Sequence, residues 1–242
     1  MNNANYMSVE NLSISYEVGF MKRRKKKILS NINFSLEIGE VLGIVGRSGS
    51  GKTTLIQGIL GMIPLDSGNI KCPYDQKFSV TNTVVQVIFQ NPRSSLSPIQ
   101  TIYETLEEIM KKHRDIKKEE IKIEMNQLLE KVSLPVEVLN KYPHELSGGQ
   151  LQRVAIARSL GAKPSILICD EPTSALDVTT QKEILKLLKH LNKTEEMGIL
   201  FITHDLEIIE YMCDKVLVLH DETASLIGDL KNKKSINKLL LK

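Results

Sequence analysis

The chain has 242 residues, a formal net charge of +3, 41% hydrophobic residues and no tryptophan. That length buries a substantial core and fits one domain, or a core with an insertion. So mild a charge gives no reason to invoke nucleic acid. No apolar run approaches the ~20 residues of a membrane span, and Met1 to Tyr6 lack the charged-then-apolar order of a secretion signal. Three widely spaced cysteines, Cys72, Cys169 and Cys213, argue against a disulfide framework and a zinc knuckle. A reduced, soluble, cytosolic chain is expected.

Over the first forty residues apolar and polar positions alternate, as at Val9, Leu12, Ile14, then Ile32, Phe34, Leu36 and Ile38. Period two predicts antiparallel strands with one buried face. The basic run Lys22 to Lys27 falls between strand-like segments at 10–16 and 28–36. It reads as a hairpin tip, either solvated or touching anionic lipid or a partner. Gly39-Glu40 then turn into Val41 to Val45, a continuous apolar run typical of a strand buried on both faces.

That strand ends in Gly46-Arg47-Ser48-Gly49-Ser50-Gly51-Lys52-Thr53, a complete P-loop pattern. A helical pattern follows at Leu55, Ile56, Ile59 and Leu60. The glycines permit a tight wrap whose N–H groups point inward at phosphate oxygens. Lys52 supplies a point charge to the β- and γ-phosphates, and Thr53 offers a hydroxyl to Mg2+. Pro64 and the turn Asp66-Ser67-Gly68 are expected to stop the helix.

Strand character returns at Val84 to Phe89, followed by Gln90, whose amide oxygen can reach Mg2+ or a water. From Pro92 to about Leu160 the pattern is helical, and the charged stretch Lys111 to Lys122 reads as an exposed helix face. Within that region Leu146-Ser147-Gly148-Gly149-Gln150 opens a helix. Ser147 can cap it, and the two glycines let backbone N–H groups approach an anion closely. This is a second phosphate-grade site in a chain that already has one.

Ile166 to Cys169 form an apolar strand that ends in Asp170 and Glu171. Asp170 is placed for the Mg2+ shell, and Glu171 for polarising a water that attacks the γ-phosphate. A helix from Thr179 to Leu191 leads to strands at Ile199 to Thr203 and Lys215 to Leu219, with His204 just past the first of these. The tail from Asp229 is lysine-rich and weakly helical. The order predicts an α/β core interrupted by a helical insertion, with a small β-rich N-terminal lobe.

In this order and spacing the motifs resemble the ATP-binding cassette of ABC transporters. Gly46–Thr53 is similar to its Walker A, Gln90 to its Q-loop and Leu146–Gln150 to its signature. Ile166–Glu171 is similar to its Walker B, Ser174-Ala175-Leu176-Asp177 to its D-loop and His204 to its switch histidine. The flanks, Phe89 to Pro98, Tyr142 to Glu145 and Ala175 to Gln181, resemble peptide and nickel importers, while Arg47 is similar to the nickel or metallophore branch.

The resemblance implies an α/β P-loop NTPase core with an antiparallel β subdomain and an inserted α-helical subdomain. Residues 1–91 and 161–228 would form the β-lobe and core, 92–160 the insertion with the signature, and 229–242 a short tail. It implies ATP and Mg2+. Tyr16 would stack on adenine, and Gly46, Arg47, Ser48, Gly49, Ser50, Gly51, Lys52, Thr53 and Thr54 would hold the nucleotide. Thr53, Gln90 and Asp170 would hold the metal, and Glu171, His204, Gln90 and Lys52 would serve catalysis.

It also implies that Ser147, Gly148, Gly149 and Gln150 grip the γ-phosphate of a second cassette in a head-to-tail dimer. The implied assembly is an importer for a small peptide, nickel or a metal chelate, on the cytoplasmic face of the membrane. A permease and an extracellular substrate-binding protein complete it, and no nucleic acid takes part. The alternative is a soluble cassette acting on nucleic acid or ribosomes. Such proteins typically carry two cassettes or a long coiled-coil insertion, and this chain has neither. A small-molecule P-loop kinase would leave Leu146–Gln150 and His204 idle.

Overall fold

The computed structural model describes residues 5–18, 24–72 and 85–228. The chain forms two compact units, Met1–Asn82 with Gly198–Lys242, and Thr83–Met197. The tail from Asp229, residues 19–23 with Lys22 and Arg23, and Val84 lie outside the described residues.

The first unit opens with β1 (Asn5–Val18) and β2 (Arg24–Glu37), paired antiparallel. Met7, Val9, Leu12 and Ile14 from β1 and Leu29, Ile32, Phe34 and Leu36 from β2 are all buried. Alternation runs on either side of Asn11 and Asn31, at φ +52° and +54°, and the register shifts there keep both halves on one core face. The hairpin is as expected, but Arg24 to Lys27 are not in its tip. They are the exposed first residues of β2, drawn into the strand by pairing with Val18 to Ser15.

Next comes β3 (Val41–Gly46), buried along its whole length, and then α1 (Lys52–Ile59). The helix stops earlier than expected. Gly61, at φ +67°, donates to Gly58 O and Met62 donates to Gln57 O, the Schellman pattern that glycine favours. Ser67 and Gly68, read above as a turn, begin β4 (Ser67–Lys71), which pairs antiparallel with β1.

In the second unit β5 (Val85–Ile88) precedes three helices of the insertion. These are α2 (Ile102–His113), α3 (Lys118–Lys131) and α4 (Gly148–Gly161). Thr101 caps α2 through a reciprocal box with Glu104. The Lys111 to Lys122 stretch is not one helix face. It spans the end of α2, a break at 114–117 and the start of α3, and Arg114 in the break is ion-paired to Glu124. Then β6 (Ile166–Asp170) pairs parallel with β5, and α5 (Val178–Thr194) follows.

Back in the first unit, β7 (Gly198–Ile202) and β8 (Lys215–His220) flank β3, both parallel to it, with α6 (Leu206–Met212) between them in sequence. A final strand, β9 (Thr223–Ile227), pairs antiparallel with β8. Packing on β3 is tight at Gly43. A methyl group there would lie 2.7 Å from Ile209 of α6, 2.7 Å from Val216 and 2.9 Å from Cys213. All three cysteines are buried. Among the described residues no helix is long and apolar enough to cross a membrane.

Candidate nucleotide-binding and hydrolysis residues

Gly46, the last residue of β3 and the first of the P-loop, tolerates no side chain. A Cβ there would strike the Ser50 side chain and come within 2.9 Å of Leu219 O. Gly49 and Gly51 adopt φ +80° and +97°, conformations that L side chains rarely hold, and this curls the loop over the start of α1. Lys52 Nζ donates to Gly46 O at 2.7 Å and to Arg47 O at 3.0 Å, so its charge is held against the loop backbone.

Ser50 Oγ is buried and has no hydrogen-bond partner among the described residues. An orphan hydroxyl, a lysine ammonium and a helix N-terminus inside one glycine wrap fit a polyphosphate. Gly51 is sealed from outside by β2, since a Cβ there would lie 2.8 Å from Leu29 and 3.1 Å from Ile28.

Tyr16 stands beside this loop. Its hydroxyl donates to Gln57 Oε1 at 3.1 Å and lies 3.5 Å from Thr54 Oγ1, while 36% of the residue remains exposed. Thr54 is buried and Thr53 exposed on the first turn of α1. Ile44 of β3 is in register with Ile202 of β7, so His204, two residues on, leaves its strand level with Gly46. His204 is exposed. Behind it Asp205 caps α6 by accepting from Glu207 N at 2.8 Å and Ile208 N at 3.4 Å. The first unit thus gathers Tyr16, Gly46 to Thr54 and His204.

The second unit gathers the carboxylates and the signature. Parallel pairing of Ile88 with Cys169 brings the ends of β5 and β6 level. There Gln90 Nε2 donates to Glu171 Oε2 at 3.3 Å and to Ser174 Oγ at 3.2 Å. The amide nitrogen of Gln90, rather than the oxygen emphasised above, therefore makes these two bonds. Asp170 is half-buried at the tip of β6. Glu171 follows at φ +46°, a left-handed backbone that an L residue holds only when its surroundings enforce it. Ser174 Oγ closes the turn by donating to Glu171 O at 3.2 Å.

From sequence, Ser174 is only the first residue of the D-loop-like stretch, with no role of its own. Its signal is a serine three residues after the acidic pair, a local side-chain turn.

Ser147 caps α4 as expected. It accepts from Gln150 N at 3.3 Å, and Gln150 Oε1 accepts from Ser147 N at 3.1 Å. Gly148 is exposed, whereas Gly149 packs on α5, where a Cβ would meet the Thr180 methyl at 2.7 Å. Asp177 fixes that contact by accepting from Thr179 N, Thr180 N and Thr180 Oγ1. These bonds, that of the Thr180 side chain foremost, hold the Asp177 carboxyl below the usual carboxylate range.

A cavity of about 200 Å3 is lined by Gln90, Arg93, Gly148, Gln152 and Leu176 among others. Gln152 is 1% exposed, and its Nε2 has no partner among the described residues.

Residues 29–174 match the family model described as ABC transporter. The chain is 36% identical over 247 residues to the glutathione import ATP-binding protein GsiA of Escherichia coli K12, covering 94% of this chain and 39% of GsiA. It therefore spans about two fifths of that relative. It is also 36% identical over 236 residues to the oligopeptide transport ATP-binding protein OppF of Haemophilus influenzae, covering 92% of this chain and 71% of OppF. Among solved structures it resembles the dimeric ATP-binding cassette MJ0796, bound to ADP and Pi in a post-hydrolysis state. There the TM-score is 0.76 at 28% identity, covering 92% of this chain and 98% of the other. With the P-loop, the acidic strand end and the capped Ser147-Gly148-Gly149 helix in place, the chain belongs to the ABC transporter family.

Proposed function

We propose that the chain is the ATP-hydrolysing subunit of an importer that energises uptake of a small peptide. The observation that carries this is the glycine wrap around Lys52, together with the hydrogen-bonded Gln90–Glu171 pair. Gly46 to Thr54 bind the triphosphate, with Lys52 on its β- and γ-phosphates. Tyr16 stacks on the adenine. Thr53, Gln90 and Asp170 hold Mg2+, which when bound neutralises charge on the phosphates. Glu171 takes a proton from the attacking water, and His204 orients that water.

The donors at Ser147, Gly148, Gly149 and Gln150 serve the γ-phosphate of a second cassette, identical or paralogous. Residues 92–160 form the helical insertion that faces the permease. Residues 1–91 with 161–228 form the β-lobe and core, and 229–242 the tail. The subunit works at the cytoplasmic face of the membrane, and an extracellular binding protein delivers cargo to the permease.

The names of GsiA and OppF, glutathione import and oligopeptide transport, support a peptide cargo. They also weigh against a soluble cassette acting on nucleic acid. Arg47 favours a second cargo, nickel or a metal chelate, on sequence alone. Uptake of labelled peptides, nickel and metal chelates in a deletion strain separates the two. Glu171→Gln tests the hydrolytic assignment: ATP binding should persist while steady-state phosphate release disappears. Turnover near that of the unaltered protein would remove Glu171 from its role.

A further inference from the structure

The hairpin of β1 and β2 has two distinct faces close to the P-loop. Ser15, Lys25 and Lys27 belong to one. Lys25 Nζ donates to Asp66 at 3.2 Å, and the Ser15 hydroxyl and the Lys25 ammonium keep the Asp66 carboxyl below its usual range. Tyr16 belongs to the other, where its hydroxyl meets Gln57 and Thr54 of α1. Tyr16 pairs directly with Lys26 across the two strands, so their side chains leave the sheet on the same side. Lys26 is exposed and carries its charge on the α1 side, in contrast to Lys25 and Lys27.

The two strands also cover different parts of α1. Ile14 of β1 packs over Gly58 near the helix C-terminus, whereas Ile28 and Leu29 of β2 pack over Gly51 at its N-cap. Crossing from β1 to β2, about 4.8 Å, is therefore a step from the body of α1 toward the phosphate end. Lys26 lies on the second strand, two residues from Ile28. It is the cross-strand partner of Tyr16 on the strand whose Ile28 and Leu29 cover the N-cap of α1. A lysine side chain reaches several ångströms and is a mobile cationic donor suited to phosphate.

We propose that Lys26 is a nucleotide-binding residue, its ammonium contacting the ribose–phosphate portion of a purine nucleotide whose base rests on Tyr16. This rests on the reading that Gly46 to Thr53 hold the phosphates. Lys52 grips the far end of the polyphosphate and Lys26 the near end, so ATP and ADP should both feel its loss.

The test is calorimetric titration of the full chain with ATP and ADP, comparing Lys26→Met, Lys26→Arg, Lys25→Met and Lys52→Ala. Lys25 and Lys26 are adjacent, equally charged and both exposed, but they face opposite sides. Lys26→Met should weaken both nucleotides about fivefold, with Lys26→Arg restoring most of the loss and Lys25→Met staying within about twofold. Raising salt should narrow the gap between Lys26→Met and the unaltered chain. Equal loss in the two Met variants, or no loss in Lys26→Met, overturns the inference while leaving the P-loop reading intact. Undiminished ATP binding in Lys52→Ala instead removes the P-loop reading itself.

Discussion

At the scale of single residues, the most telling feature is the backbone of Glu171. A non-glycine residue at φ +46° costs on the order of 1 kcal/mol. The residue proposed as the base thus sits in a conformation that its type disfavours, pinned by the bonds of Gln90 and Ser174. Replacing it by glycine or alanine should abolish hydrolysis equally. The two should differ in stability, with Glu171→Gly more stable than Glu171→Ala by about 1 kcal/mol in urea titration. Equal stability would mean that the left-handed conformation costs nothing. Ser174→Ala should lower turnover while leaving ATP affinity unchanged, because it frees Gln90 and the turn without touching the phosphates. A parallel fall in affinity would assign Ser174 to nucleotide binding instead.

Elements are held by ion pairs whose pH dependence has a definite sign. In the helical insertion, Arg114 in the break after α2 pairs with Glu124 of α3, and Lys163 lies 3.6 Å from the same carboxylate. Arg114 above all keeps the Glu124 carboxyl below its ordinary range. A folded value below the unfolded one means that the stabilisation is complete above about pH 4.3 and fades as pH falls through the folded value. Glu124→Gln should therefore lower the Tm at pH 7, and the gap should narrow as the pH is taken below the ordinary carboxylate range.

The opposite sign applies at the start of β8. Glu40, 7% exposed, lies 2.7 Å from the Lys215 ammonium and raises it above the usual lysine value. That contribution is complete below about pH 10.4 and is lost as pH rises through the folded value.

The elements also differ in how far sequence reveals them. β1, β2 and β3, the P-loop and the capped start of α4 are legible because alternation, glycine spacing and a capping serine before two glycines are local signals. β4 carries Ser-Gly-Asn-Ile-Lys without apolar alternation, and its pairing with β1 makes it a strand. Arg24 to Lys27 are poor strand formers, likewise recruited by pairing with β1. The break at 114–117 contains neither glycine nor proline to announce it. In the candidate site the residue types were legible. The Gln90–Glu171 bond was not, because it joins positions 81 residues apart and depends on the register of β5 with β6.

For the whole molecule, the proposed function requires two cassettes, since Ser147 and its glycines serve a nucleotide held by another chain. If the pair is homotypic, Glu171→Gln should dimerise with MgATP in size-exclusion chromatography. A further Ser147→Arg change should return it to a monomer that still binds ATP. A monomeric species with full turnover would exclude an active site shared between chains.

One packing detail sets how heat would act on such an enzyme. Gly43 lets α6 and β8 close directly on the strand that leads to Gly46, and α6 is the helix that begins just after His204. A methyl group at position 43 would push that helix outward with no polar group lost and no charge changed. Gly43→Ala is therefore expected to behave as a temperature-sensitive allele. Growth on the transported nutrient would be supported in the cold and fail on warming, while a purified sample at low temperature shows every motif intact.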